Sequence, residues 1–397
     1  MMNRLLHFIQ HEFGDMIRVC HNEFRLIFAD MGVVLFFFIL PLFYPLVYSS
    51  IYDPELVREV PVVIIDNSHT PLSREWMRSL AATQEVSFAG YAIDLPDAKR
   101  AMAEKQAFGI VELPADLSER VGRGEQANIN IYCDMGLLLR YKSILVAVTN
   151  ASSAMAAKEQ ARAANITATY VPLGAMPVQS QFFPLGNPMM GIASALLPGI
   201  LMIVVQQSMI LGICMLGAGA RGRRRRNAGR DPEAVPAGII PTMAGKLLCY
   251  SIIYIPVIFY VAVVVIRFFE FPHNGSMLDI FLMTLPYLAS SAFFGMTLQA
   301  FVTEREDVFP LIVWTSVLFL FLSGISWPRY GMPALLKFVG DLVPSTWAVN
   351  AFVRMTGNAA SLSDVSFELT MMWVLAGVYF LMAYAYRRLI AANPLKY

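Results

Sequence analysis

The densest chemical signal in the chain is Arg221-Gly-Arg-Arg-Arg-Arg-Asn-Ala-Gly-Arg230, six arginines in ten positions. Such a run suits phosphate binding on a nucleic acid, a localisation signal, or an anchor that keeps a segment on one side of a membrane. Its flanks decide. An uncharged stretch runs from Gly186 to Ala220 and an apolar one from Leu247 to Ile266. The arginines therefore join two membrane-length segments, and the positive-inside rule puts them in a cytoplasmic loop. Arg221, Arg223, Arg224, Arg225 and Arg226 are read as the topology anchor, with anionic membrane lipid as their contact. No nucleic-acid partner is expected, because the formal net charge is only +1 and no basic face extends beyond this run.

Other residues with chemical potential are sparse. Gly245-Lys246 invites a phosphate-loop reading, but that motif needs a glycine five positions before Gly245 and a Ser or Thr after the lysine. Ile240 and Leu247 stand there, so the chain has no ATP cradle of this kind. His7 and His11 share a helical spacing without a third ligand, and the four cysteines are scattered, so no metal and no disulfide are expected. No Gly-x-Ser-x-Gly elbow is present. Gln206, Gln207 and Gln299 are polar groups inside apolar runs, where they either line a substrate path or hydrogen-bond across helices. Glu304-Arg-Glu-Asp307 is a charged turn, open to a partner or to solvent.

The elements that must position these residues are mostly membrane helices. Of 397 residues, 57% are hydrophobic and 15% charged, against about 25% charged in a soluble domain. Residues 3–28 carry Leu5, Ile9, Phe13, Met16, Cys20, Phe24 and Ile27 at steps of three and four, one face of an amphipathic helix lying on the inner membrane surface. Met31–Ile51 is the first span. The mixed residues ahead of it, with no small-residue cleavage site after it, argue against a cleavable signal peptide. Further spans are expected at about 188–216, 248–268, 279–302, 308–327 and 367–386. Residues 328–365 read as short helices or a re-entrant segment, because Lys337, Asp341 and Pro344 interrupt the apolar pattern.

Between the first two spans, residues 53–186 alternate strand and helix. Val60–Ile65, Glu85–Ile93, Phe108–Leu113 and Ala127–Cys133 read as strands, with helices at 73–82, 95–106, 114–122 and 136–164. The fold class expected is an α-helical polytopic membrane protein of six transmembrane helices, with an α/β extracytoplasmic domain inserted between the first and second spans. With 217–247 inside, both termini are cytoplasmic, and Lys246, Arg305, Arg387 and Arg388 fall on the same side.

This layout resembles the permease subunits of ABC-2-type ABC exporters. The resemblance covers essentially the whole chain. It rests on Val62-Val-Ile-Ile-Asp-Asn67 with Ser73-Arg74, on Gly109-Ile-Val-Glu-Leu-Pro-Ala-Asp-Leu117 with Gly124, on Asn187-Pro188 and Leu197-Pro198-Gly199, and on Ser323-Gly324, Pro328, Met332-Pro333 and Pro344. In the family, the segment between the second and third spans has Arg-Glu-x-Gly-Thr before a helix and Gly-Lys. Here Gly245-Lys246 is present, Glu233 stands for the acidic position, and the Gly-Thr is missing.

The resemblance implies a permease without an ATPase motif of its own, working with a separate ABC ATP-binding subunit that uses ATP and magnesium. It implies coupling through Glu233, Gly245, Lys246, Arg18 and Glu304, and a second permease, identical or a sister chain. It also implies a bacterial inner-membrane location and an apolar or amphipathic substrate moved outward. A periplasmic adaptor is a further expected partner. The competing class is a non-transporting sensor or assembly scaffold whose outer domain binds a ligand, although the cytoplasmic parts are short for an output domain.

Overall fold

The computed structural model describes residues 2–52, 57–134, 138–166 and 191–392. The chain divides into two compact units, Met1–Asp53 with Pro184–Tyr397, and Pro54–Phe183.

The smaller unit is built on a four-stranded sheet of order β2-β1-β3-β4: β1 Val60–Asp66, β2 Val86–Tyr91, β3 Gly109–Leu113 and β4 Asn130–Cys133. The first three strands are parallel and β4 is antiparallel to β3. Parallel strands covered on both faces read as unbroken apolar runs, which is what Val62-Val-Ile-Ile65 is. Val62 and Ile64 pack with Trp76, Leu80 and Ile144 on one face, whereas Val63 and Ile65 pack with Ala98 and Ile110 on the other. The helices are α3 Pro71–Ala81, α4 Leu95–Ala103, α5 Leu117–Gly122 and α6 Leu138–Ile166. Thr70 and Asp94 cap α3 and α4 through their side chains, as short oxygen-bearing residues do at helix starts.

The larger unit is all helical. Its first helix, α1 Met2–Ala29, is followed by α2 Met31–Tyr52, whose Asp30 cap accepts a hydrogen bond from Gly32 N. Then come α7 Ile192–Arg226, α8 Ile239–Phe268, α9 Met277–Leu298, α10 Val308–Leu322, α11 Ala334–Asp341, α12 Pro344–Asn358 and α13 Ser366–Ala392. A Cβ added at Gly212 on α7 would lie 1.6 Å from the Phe37 ring of α2, so that glycine lets the two helices close on each other. Phe37 in turn packs on Tyr250 and Tyr254 of α8.

Several boundaries differ from expectation. The helix that begins the larger unit's second apolar stretch does not stop near residue 216 but runs through the arginines to Arg226. Arginine is a good helix former, and cations at a helix C-terminus oppose the macrodipole. The chain turns only at Ala228 and Gly229, both in the left-handed region with φ 49° and 86°. The next helix begins at Ile239, nine residues before the expected span. The connection is thus 227–238 rather than 217–247.

Five helices among the described residues are long and apolar enough to cross a membrane. The expected fifth span, 308–327, is shorter: α10 has 15 residues, about 22 Å at 1.5 Å each against a hydrocarbon core of about 30 Å. Gly324, with φ 94°, ends its apolar run. Residues 334–358 form the two short helices α11 and α12. The expected opening of the second span at Asn187-Pro188 falls within 167–190, outside the described residues.

Candidate functional site

The site grows from the contact between α1 and α8. A Cβ on Gly245 would lie 2.5 Å from the Met16 carbonyl and 2.9 Å from Val19 Cβ, so only glycine lets the two backbones meet there. Next to this contact, Lys246 Nζ lies 2.5 Å from Glu23 Oε1. Four residues further along α8, Tyr250 OH donates to the same oxygen at 2.5 Å. The Glu23 side chain is 3% exposed and that of Lys246 18%. Helical neighbours at i and i+4 present one face, and here that face grips a single buried carboxylate.

Glu23 escapes a reading of the sequence. Its charge marks it as a residue of the polar face, yet it lies three residues after Cys20 and four before Ile27, on the apolar stripe itself. Burying it is tolerable only because a cation and a hydroxyl meet it.

The 227–238 connection is tied down from two sides. Arg223 on α7 binds Asp231 with both ends of its fork, at 2.7 and 3.1 Å, and lies 3.4 Å from a Glu233 oxygen. Asn22 of α1 donates to the Glu233 carbonyl at 2.8 Å. Glu233 itself remains half exposed at 51%.

Arg221 is 7% exposed rather than spread on a loop. Its guanidinium donates to the carbonyls of Val302, Ala300 and Gln299 and to Tyr386 OH. These carbonyls follow the end of α9, so Arg221 closes that helix terminus from a neighbouring helix.

The sequence-predicted residues thus divide. Glu233, Gly245 and Lys246 come together against α1. Arg18 is exposed on α1 and paired with Asp15. Glu304 is exposed in the turn after α9, its N–H donating to Asp307 at 2.9 Å, while its neighbour Arg305 pairs with Asp30. Arg225 and Arg226 are exposed. Gln206 and Gln207 are buried within the helical core, with the Gln206 Nε2 and both Gln207 amide atoms unpartnered among the described residues. Gln206 Oε1 accepts from Ser291 at 3.3 Å. Gln299 lies at the end of α9, away from these two. No three His, Cys, Asp or Glu converge among the described residues; the His7 side chain is outside them.

The cluster opens onto a cleft of about 390 Å³ bordered by α1, α7, the 227–238 connection, α8 and α13. Arg387 of α13, with Gln299 and Glu23, is among its walls. What this arrangement can do is mechanical: a force on the connection or on α1 reaches α7 and α8 through charge-assisted contacts rather than through slack chain.

Comparison with the curated proteins gave no match. A family model described as ABC-2 family transporter protein matches residues 31–385, and it takes in α2, the sheet unit and α7 through most of α13. The chain is a multi-pass membrane protein and belongs to the ABC-2 family of transporter permeases.

Proposed function

We propose that the chain is the membrane-spanning subunit of an ATP-driven exporter, and that a separate ATP-binding subunit drives it by pushing on the surface formed by α1 and residues 227–246. The observation that carries this reading is the junction itself. Glu23, Lys246 and Tyr250 bind α1 to α8, while Asn22 and Arg223 bind the connection to α1 and α7. A docked subunit moving this surface would move two long membrane helices with it, and such a shared two-state element is what coupling requires.

Two permeases, identical or sister chains, would enclose the path in a bacterial inner membrane, with both termini cytoplasmic and the sheet unit outside. The positive-inside rule supports that orientation through the arginines at the end of α7. An apolar or amphipathic substrate suits the groove of about 520 Å³ that Leu247, Leu285, Phe293, Trp373 and Phe380 line between α8, α9 and α13, a size in the range of small-molecule sites. A periplasmic adaptor would meet the sheet unit. ATP and magnesium belong to the partner.

The test is affinity purification of the tagged chain from its native membrane, alongside efflux by cells expressing Lys246→Ala or Glu233→Ala. An ATP-binding subunit in the eluate and loss of efflux in the variants are expected. An eluate without one, with efflux unchanged, rejects the reading.

A further inference from the structure

The cleft at the α1–α8 junction has a charge imbalance that coupling does not use. Five cations line it: Arg221, Arg223, Arg224, Lys246 and Arg387. Only three carboxylates do, Glu23, Asp231 and Glu233. All three are already engaged, Glu23 with Lys246 and the other two with Arg223. Arg221 spends its donors on neutral carbonyls and a tyrosine hydroxyl. Arg224 and Arg387 form no ion pair with a carboxylate among the described residues, and Arg387 Nε is buried without a hydrogen-bond partner. Both guanidiniums are only partly exposed, and the carboxylates near them, Glu23 and Asp231, are shared with other cations, so their charge is incompletely balanced. Among the described residues the cleft thus carries a surplus of two positive charges, a setting suited to an anion.

We infer that the cleft binds a phosphate-bearing anion, with Arg224 of α7 and Arg387 of α13 as its principal ligands. Guanidinium forks match phosphate oxygens bidentately, and two forks from different helices suit a tetrahedral group that presents oxygens in several directions. The remaining walls include Leu26, Leu216 and Ile390, apolar surface next to the charged floor. The same phosphate chemistry comes from two sources, an anionic phospholipid headgroup or a soluble phosphate. Occupancy would bridge the ends of α7 and α13 and stiffen the cleft into which Lys246 and Glu23 project. The inference rests on this charge geometry alone and does not need an ATP-binding subunit.

The experiment uses the full chain in nanodiscs of phosphatidylcholine, with and without phosphatidylglycerol, and follows thermal unfolding. In the discs without phosphatidylglycerol, sodium pyrophosphate is titrated as the soluble probe. Phosphatidylglycerol or pyrophosphate retained by the protein is identified in parallel by its adduct mass in native mass spectrometry. Expected is a rise in melting temperature with one or both probes and retained phospholipid or phosphate on the wild type. In the pair Arg224→Gln/Arg387→Gln the apparent affinity should fall about tenfold or more, the loss of charged hydrogen bonds to phosphate being of that order.

Arg230→Gln/Arg388→Gln removes the same charge from exposed positions outside the cleft and should keep the wild-type response. A response to phosphatidylglycerol alone assigns the lipid headgroup, and a response to pyrophosphate alone assigns a soluble phosphate. Equal losses in the two double variants would mean diffuse surface attraction and overturn the site. So would a wild type that retains neither phosphatidylglycerol nor pyrophosphate and shifts with neither probe, whatever the variants do. Arg387→Lys, which keeps the charge, guards against misfolding: it should fold and bind with intermediate strength.

Discussion

Glu23 is the residue on which most of the junction turns, because one carboxylate oxygen takes both Lys246 and Tyr250. Removing one partner of a buried pair typically costs about 3–5 kcal/mol, while replacing both by apolar groups is often neutral. Glu23→Gln or Lys246→Met alone should therefore lower the melting temperature in detergent, and Glu23→Leu/Lys246→Met should regain most of the loss. A double-mutant cycle measures this, and additive single losses would contradict it.

In the sheet unit, burial pushes the Cys133 thiol up to about 11. The folded state thus favours the neutral thiol. This contribution to stability is complete below the unfolded value and disappears as the pH rises through about 11. Alkylation of Cys133 in a chain whose other cysteines are serine should keep accelerating past pH 9 instead of levelling there.

Little of this residue-level detail was legible in the sequence. Gly245 and Lys246 stood out through a resemblance, but their partner sits 223 positions away from Lys246, and an acid on an apolar stripe carries no local mark of being satisfied. Arg387 reads from the sequence only as a cation on the cytoplasmic side, with no local mark of the cleft it lines.

Among the elements, α1 and α8 depend on a single missing methyl group. Gly245→Ala should force the backbones apart at the Met16 carbonyl, with an overpacking cost of about 1–3 kcal/mol. Its effect on transport should exceed its effect on stability, since it would separate the surfaces proposed to move together. Thermal unfolding and efflux measured on the same variant check this; normal efflux in a folded Gly245→Ala protein would contradict it.

The turn before α10 depends on Asp307, whose carboxyl is held low mainly by the Thr303 hydroxyl at 2.6 Å, then by the Glu304 and Thr303 N–H groups. A depressed carboxylate stabilises above its unfolded pKa of about 3.9 and loses that contribution as the pH falls through the lower folded value.

The sheet was readable in nearly every strand, because period and turn chemistry are local signals. Val62-Val-Ile-Ile65 can hardly be anything but a buried strand. Helix ends were not readable to the same degree. Arg221–Arg226 resembles a loop by charge and is helix by propensity, and the Gly324 break that shortens α10 was hidden inside a continuous apolar run.

At the scale of the whole molecule, the family assignment and the apolar helices describe a transporter permease in a membrane, and the proposed orientation rests on the positive-inside rule applied to the arginines at the end of α7. Single cysteines introduced at Arg225 and Glu125, both exposed, should react with a membrane-impermeant maleimide from opposite sides in intact cells. Glu125 should label directly, and Arg225 only after permeabilisation. The reverse pattern would invert the topology and remove the α1–α8 surface from the reach of a cytoplasmic ATPase.

The central claim is that a separate ATP-binding subunit drives this chain through that surface. The most direct measurement is ATP hydrolysis by the complex purified on the tagged chain, comparing wild type with Glu23→Lys/Lys246→Glu and with each single exchange. The account predicts a co-purified ATPase whose activity responds to the permease, falls in both single exchanges and recovers in part when the charges are swapped together. A tagged chain that purifies from native membranes without any ATP-hydrolysing partner, or one whose partner is indifferent to all three variants, would contradict it.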